Sequence, residues 1–179
     1  MRTSFRPLLT LALLGLLGLH ACRKKDTVPQ NLVEVVADDE RFSVLNAAIN
    51  KAGLGPALSQ GTLTLFAPTD AAFRAAGIDA GVLNSATPAA LTTLLQYHVL
   101  PTRTPSTSVP SAENTEVATL NGAKLYVSKK AAAVSVNGAR VTQADVEAPN
   151  GVIHVVDRVL LPPTGTLTQV ASANPDLSL

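Results

Sequence analysis

Cysteine, aromatic residues and surplus charge are all scarce in this 179-residue chain, and each shortage removes a class of function. There is one cysteine, so no internal disulfide can form and no Cys-x-x-Cys metal or redox motif exists. Aromatic residues make up 3% and tryptophan is missing, while 14 Lys and Arg stand against 13 Asp and Glu for a net charge of +1. A nucleic-acid platform needs stacking rings and phosphate-neutralising charge, so no nucleic-acid partner is expected. Three histidines without a His-Glu-x-x-His arrangement leave zinc short of ligands, and no metal-ligating residue is assigned. Ser106, Ser108 and Ser111 share one loop, but no Gly-x-Ser-x-Gly turn marks a nucleophile and no glycine loop is built to cradle phosphate. The expectation is therefore no catalytic residue, no enzyme and no cofactor.

What is present begins with Arg2 and Arg6, an apolar run from Leu8 to Leu19, and the closing sequence Leu19-His20-Ala21-Cys22. The run is about 12 residues long, short of the roughly 20 that cross a membrane as helix, and Arg23, Lys24 and Lys25 stop it. A positive start, a short apolar stretch and a small residue before a cleavage point are the marks of an export signal. Leu-x-Ala-Cys in that position resembles the bacterial lipobox, which implies a signal peptide over 1–21 and lipid on Cys22. Each buried methylene contributes about 0.8 kcal/mol, so two or three acyl chains hold a protein firmly where one holds it marginally. The mature chain would lose Arg2 and Arg6 but no acid, leaving 12 basic residues against 13 acidic ones.

Residues 22–30 read as a polar tether. Its three cations beside the lipid suit an anionic surface at roughly 1 kcal/mol each. Asp26-Thr27-Val28 resembles a short O-glycosylation signal. The mature chain of about 158 residues is enough for one domain, and 46% hydrophobic composition can fill a core without disulfides.

Within 31–53 Leu32, Val35 and Val36 fall on one helical face, as do Phe42, Leu45, Ile49 and Ala52 on a second, with Asp38 and Asp39 at the junction and Gly53 as the stop. Thr62 to Ala67 alternates with period two before Pro68 and predicts a strand. Thr69-Asp70 opens a short helix carrying Phe73, and Thr87-Pro88 opens a longer one with Leu91, Leu94, Leu95 and Val99. After a Pro-, Ser- and Thr-rich stretch from Thr102 to Glu116, three Asn-Gly pairs punctuate short apolar runs at Asn121-Gly122, Asn137-Gly138 and Asn150-Gly151. Asn-Gly tolerates the positive φ angles of type I′ turns, so the runs Leu125 to Val127, Val134 to Val136, Val141 and Val152 to Val159 are expected to pair antiparallel as a meander or small barrel. Helices followed by strands predict an α+β architecture.

Three stretches then align with one family. Thr62-Leu63-Thr64-Leu65-Phe66-Ala67-Pro68-Thr69-Asp70-Ala71-Ala72-Phe73 resembles the first homology box of the fasciclin (FAS1) family. Tyr97-His98-Val99-Leu100-Pro101 resembles its central Tyr-His motif, and the stretch from Asn150 to Pro162, with Gly151, Val152, Ile153, His154 and Val155-Val156-Asp157, resembles its second box. The resemblance spans 31–163 and leaves 164–179 as a tail. It implies a β-sandwich or wedge with helices packed along one side. It also makes Tyr97, His98 and Asp70 the candidate interaction or structural motif, since the Tyr-His neighbourhood of the family has been proposed as an adhesion surface for receptors such as integrins.

Read physically, His98 follows an apolar helix and is expected to be a partly buried imidazole bonded to a neighbour such as Asp70, while Thr69 or Asp70 caps its helix. His154, between Ile153 and Val155, reads as a structural histidine. The expected function is a lipid-anchored adhesion module of the bacterial cell envelope. It would bind a protein or polysaccharide partner, with the outer membrane favoured because Arg23 rather than an acidic residue follows Cys22. The alternative is a periplasm-facing scaffold or small-ligand-binding protein, which a deep pocket with convergent polar groups would favour.

Overall fold

The computed structural model describes residues 31–163 apart from 113 and 132, so Cys22, the tether and the tail lie outside the described residues. Helix α1 (Leu32–Asp38) starts where the Asn31 side chain accepts the amides of Val33 and Glu34, and a 3-10 turn over Glu40–Phe42 is capped by Asp39. Helix α2 (Ser43–Ala52) ends on Gly53 at φ +67, the left-handed conformation that glycine adopts without cost. A short α3 (Gly55–Leu58) leads into strand β1 (Leu63–Pro68), and then come α4 (Asp70–Ala75), α5 (Ala80–Ser85) and α6 (Pro88–Tyr97). Strand β2 (Val99–Leu100) follows at once, and after a loop the chain finishes with β3 (Thr115–Ala118), β4 (Lys124–Lys130), β5 (Ala133–Val136), β6 (Ala139–Ala148) and β7 (Gly151–Val156).

The strands form one seven-stranded sheet in the order β2-β1-β7-β6-β5-β4-β3. The expected antiparallel meander is the run β3 to β7, and its last strand lies parallel to β1 from Leu63↔Gly151 to Pro68↔Val156. Register shifts between Val141 and Val146 bend β6, so the sheet folds over into two halves. The Leu120 amide donates to Val99 O at 2.7 Å and joins the far end back to β2, which gives the sheet its wedge shape.

Two cores follow from the alternation along β1 and β7. Leu63, Leu65, Ala67, Ile153 and Val155 meet the helices, where Val36, Leu45, Ile49, Phe73 and Leu95 pack. Phe66 and Val156 point the other way, into a second core between the sheet halves with Tyr97, Leu100, Leu125 and Val136. Both strands are buried along their whole length, as central strands must be.

Three local expectations are corrected. Helix α6 stops at Tyr97, so Val99 is in β2 instead of on the helix; Pro101 forbids continuation and β1 offers Val99 a ladder partner at Leu65. Strand β7 ends at Val156, short of Val159. The turn before β7 is centred on Pro149-Asn150, since Ala148 faces Gly151, and neither Asn150 nor Gly151 has a positive φ. Asn137-Gly138, with φ of +46 and +77, does form the turn that its sequence predicts.

Candidate functional site

Tyr97 and His98 sit at the seam between the two cores. Tyr97 is the last residue of α6, 2% exposed, and its hydroxyl donates to Lys124 O at 3.0 Å while accepting from Asn137 Nδ2 at 2.8 Å. Burial raises its pKa. His98 is 1% exposed. Its Nε2 accepts the Leu160 amide at 2.9 Å, which fixes the proton on Nδ1, and Nδ1 donates to Leu94 O at 2.8 Å. Burial pushes its pKa down to about 4, against the smaller opposing effect of the Leu94 carbonyl. The imidazole is thus a neutral clamp between the end of α6 and the strand-exit segment at Leu160.

Asp70 does not reach His98. Thr69 caps α4 by accepting the Ala72 amide at 3.3 Å, which frees the Asp70 carboxylate to turn toward α2. There it accepts from Ser43 Oγ at 2.5 Å and from the Val44 amide at 2.9 Å, serving as a cap supplied by a different helix. The expected His98–Asp70 pairing fails because His98 finds both of its partners in backbone, whereas Asp70 is drawn to the unpaired amides at the start of α2.

The loop between β2 and β3 is fastened along its first half. Thr64 Oγ1 donates to Thr102 O at 2.6 Å and accepts the Thr104 amide at 2.8 Å. His154, 4% exposed, stacks on Phe66 with centroids 5.7 Å apart and donates from Nε2 to Thr104 O at 2.9 Å, while Nδ1 accepts the Asp145 amide at 3.2 Å. The Asp145 carboxylate takes the Ser106 amide at 2.8 Å and the Ser106 hydroxyl. Burial pushes the Asp145 pKa up, but those two bonds, with His154 and Lys129 adding to them, hold it below the usual carboxylate value. Lys129 Nζ donates to Ser106 O at 2.7 Å, and Arg103 pairs with Glu147 at 3.1 Å. These contacts fasten the first half of the loop to β1, β4, β6 and β7.

These groups do not make a catalytic set. The Ser106 hydroxyl faces a carboxylate, and both nitrogens of His154 are engaged with backbone, so neither imidazole is aimed at a nucleophile. Among the described residues no group of His, Cys, Asp and Glu is placed to hold a metal. The cavity between the sheet halves, walled by Phe66, Leu100, Val109, Val127 and His154, measures about 40 Å³. Ligand pockets run from about 300 to 1,000 Å³, so it has no room for a small organic ligand. No helix among the described residues is long and apolar enough to cross a membrane.

Sequence reasoning missed Asn150, whose side chain accepts the Leu32 amide at 2.7 Å and donates to Leu58 O at 2.9 Å, tying α1 and α3 to the turn before β7. It also missed Asp145, at φ +58 within the bent strand. The Asn150-Gly151 pair drew attention to the right place through hairpin chemistry, but nothing in the sequence signals a bulge at Asp145.

Compared with known proteins, the chain matches the fasciclin domain family over residues 40–162. Protein sll1483 of Synechocystis is 46% identical to it over 135 residues, 74% of this chain and 73% of that protein. The transforming growth factor-beta-induced protein ig-h3 of Sus scrofa is 38% identical over 133 residues, which are 74% of this chain but only 19% of the larger protein. A solved FAS1 domain pair from the insect cell adhesion molecule fasciclin I superposes with a TM-score of 0.62 at 17% identity, over 74% of this chain and 51% of that one. The wedge described above is the same fold.

Proposed function

The chain belongs to the fasciclin domain family, and on that footing we propose that it is a non-enzymatic adhesion or interaction module, anchored through lipid on Cys22, that meets a protein or polysaccharide partner with its outer surface. One observation carries the reading. The residues with chemistry to offer, Tyr97, His98 and His154, are turned inward and saturated by hydrogen bonds, and the cavity beside His154 is about 40 Å³, so contact with a partner falls to the exterior. The insect relative's description as a cell adhesion molecule supports the same class of function. The braced loop from Thr102 presents a preordered surface, which lowers the entropic cost of binding.

The anchor places the domain on the bacterial envelope, with the outer membrane favoured because Arg23 follows Cys22. Intact producing cells treated with an external protease test the arrangement, with a periplasmic protein as control. Loss of the domain while the control survives is the expected outcome. Full protection would remove adhesion to external partners and leave an envelope scaffold facing the periplasm. The anchor itself is tested by Cys22→Ala: the protein should leave the membrane fraction, and the mature mass should lose its acyl chains.

A further inference from the structure

The outer face of the bent half of the sheet carries an arrangement that the interior does not explain. Ser128 on β4 stands directly opposite Ser135 on β5, and Ser135 directly opposite Arg140 on β6, so two hydroxyls and a guanidinium form one row across three strands. At about 4.8 Å between strands the row is about 10 Å long. Lys130 lies two residues beyond Ser128 on the same face, and Asn114 borders the row through its amide, which donates to Ser128 Oγ at 2.9 Å. Together they line an open groove of about 280 Å³.

Charge is concentrated at this groove. Arg41, Arg103 and Lys124 each have a carboxylate partner, Lys51, Arg74 and Lys129 are spent on backbone carbonyls, and of the other described cations outside the groove Arg158, after β7, stands alone. Neither Lys130 nor the Arg140 guanidinium has a partner among the described residues, and no described carboxylate lines the groove. The neighbouring Asp157 is engaged with the Arg140 backbone amide at 2.8 Å, and Glu116, directly opposite Tyr126 on β3, is paired with Lys124 at 2.6 Å. Two unpaired cations are thus concentrated in a chain whose mature charge is near zero.

The other chemistry of the face selects among anions. Tyr126 precedes Ser128 by two residues on β4, points the same way, and is 46% exposed. A half-exposed aromatic ring in line with hydroxyl, amide and cationic groups suits a polyhydroxylated chain, whose ring stacks while its hydroxyls and acid groups are bonded. A protein partner would want buried apolar anchors at the centre of the contact, and the groove offers only Ala133 and the edge of Val134.

We propose that the outer face of β4, β5 and β6 is a binding groove for an anionic polysaccharide, with Lys130 and Arg140 pairing its acid groups, Ser128 and Ser135 bonding its hydroxyls and Tyr126 stacking on a sugar ring. This assignment rests on the interaction-module reading and names the partner that reading leaves open.

The test measures binding of the full-length purified protein to polygalacturonate, dextran sulfate and neutral dextran, with phosphatidylglycerol vesicles as a fourth probe. The anionic polymers should bind and weaken as salt rises, and neutral dextran should not bind. Lys130→Gln with Arg140→Gln should lower affinity severalfold, by up to about 25-fold, from at most about fivefold for each exposed pair. Tyr126→Ala should lower it separately, while Arg74→Gln, which removes one cation from α4 just as either groove substitution alone removes one from the sheet, should leave it unaltered. All variants should keep the wild-type melting temperature. Equal loss in Arg74→Gln, equal binding of neutral dextran, stronger binding to the vesicles, or unchanged binding in the groove variants would each overturn the assignment. Adhesion of cells carrying the groove variants separates the two readings. Undiminished adhesion with no polysaccharide binding removes the groove alone, whereas cells that adhere no better with the wild-type protein than without it remove the module reading.

Discussion

His98 makes the stability of this domain sensitive to mild acid in a way that can be calculated. In the unfolded chain an imidazole has its ordinary pKa of 6.5; in the fold, burial brings it to about 4. Above pH 6.5 both states are neutral and the clamp between Leu94 O and the Leu160 amide is intact. As pH falls from 6.5 toward 4 the unfolded state takes up a proton that the folded state refuses, so the fold loses about 1.4 kcal/mol per pH unit. The loss totals about 3 kcal/mol and levels off below pH 4, where the folded imidazole also protonates. The assay is urea unfolding at pH 7 and at pH 4.5 for the wild type and for His98→Gln, whose side-chain oxygen can still accept the Leu160 amide. The variant should be less stable at pH 7 by about 1–3 kcal/mol, because Leu94 O loses its donor. It should nevertheless lose less stability on acidification. Carboxylates such as Asp39 and Asp145, whose pKa values are lowered in the fold, act in both proteins and cancel from the comparison. Parallel loss in the two proteins between pH 6.5 and 4, at unchanged denaturant slope, would refute the assignment of His98 as a neutral buried clamp.

Two further substitutions test the frame around it. A Cβ at position 151 would stand 2.1 Å from Leu63 O and 3.1 Å from a Leu32 methyl, with backbone as the main obstacle. Gly151→Ala should therefore push β7 off β1 and cost about 3 kcal/mol, the upper end for overpacking; a thermal melt within a degree of wild type would contradict it. Asn150→Ala removes the acceptor of the Leu32 amide and the donor to Leu58 O, for a loss of about 2 kcal/mol. Hydrogen exchange should show the amides at the start of α1 losing protection first, and uniform loss across the domain would speak against a local tie.

How far the sequence could be read depended on whether the physics was local. Thr69 and Thr87-Pro88 announce helices because a cap and its amide are three residues apart, and Gly53 announces a stop because only its own φ matters. The burial of β1 and β7 was legible in their apolar runs, but their parallel pairing was not, since Leu63 and Gly151 meet across most of the domain. Asp70 was misread for the same reason: its partners Ser43 and Val44 are on another helix, and the nearer candidate in motif terms, His98, was already satisfied by backbone. Glycine at 151 was read as a turn residue, whereas the structure needs it for the missing Cβ beside Leu63 O.

The three family motifs occupy β1, the junction of α6 with β2, and β7, which are the innermost pieces of the wedge. Residues so placed act on a partner only through the scaffold. A substitution at Tyr97 or His98 that abolishes adhesion therefore reports folding unless the melting temperature is unchanged, because Tyr97 holds β4 and the Asn137 turn, and His98 holds Leu160. Lys130, Arg140 and Tyr126 are exposed, and the first two have no side-chain partner to lose. Their replacement should cost less than about 0.5 kcal/mol of stability. On the proposed groove, folding and binding are separable by location, with the buried motif residues governing the first and the outer face of β4 to β6 the second.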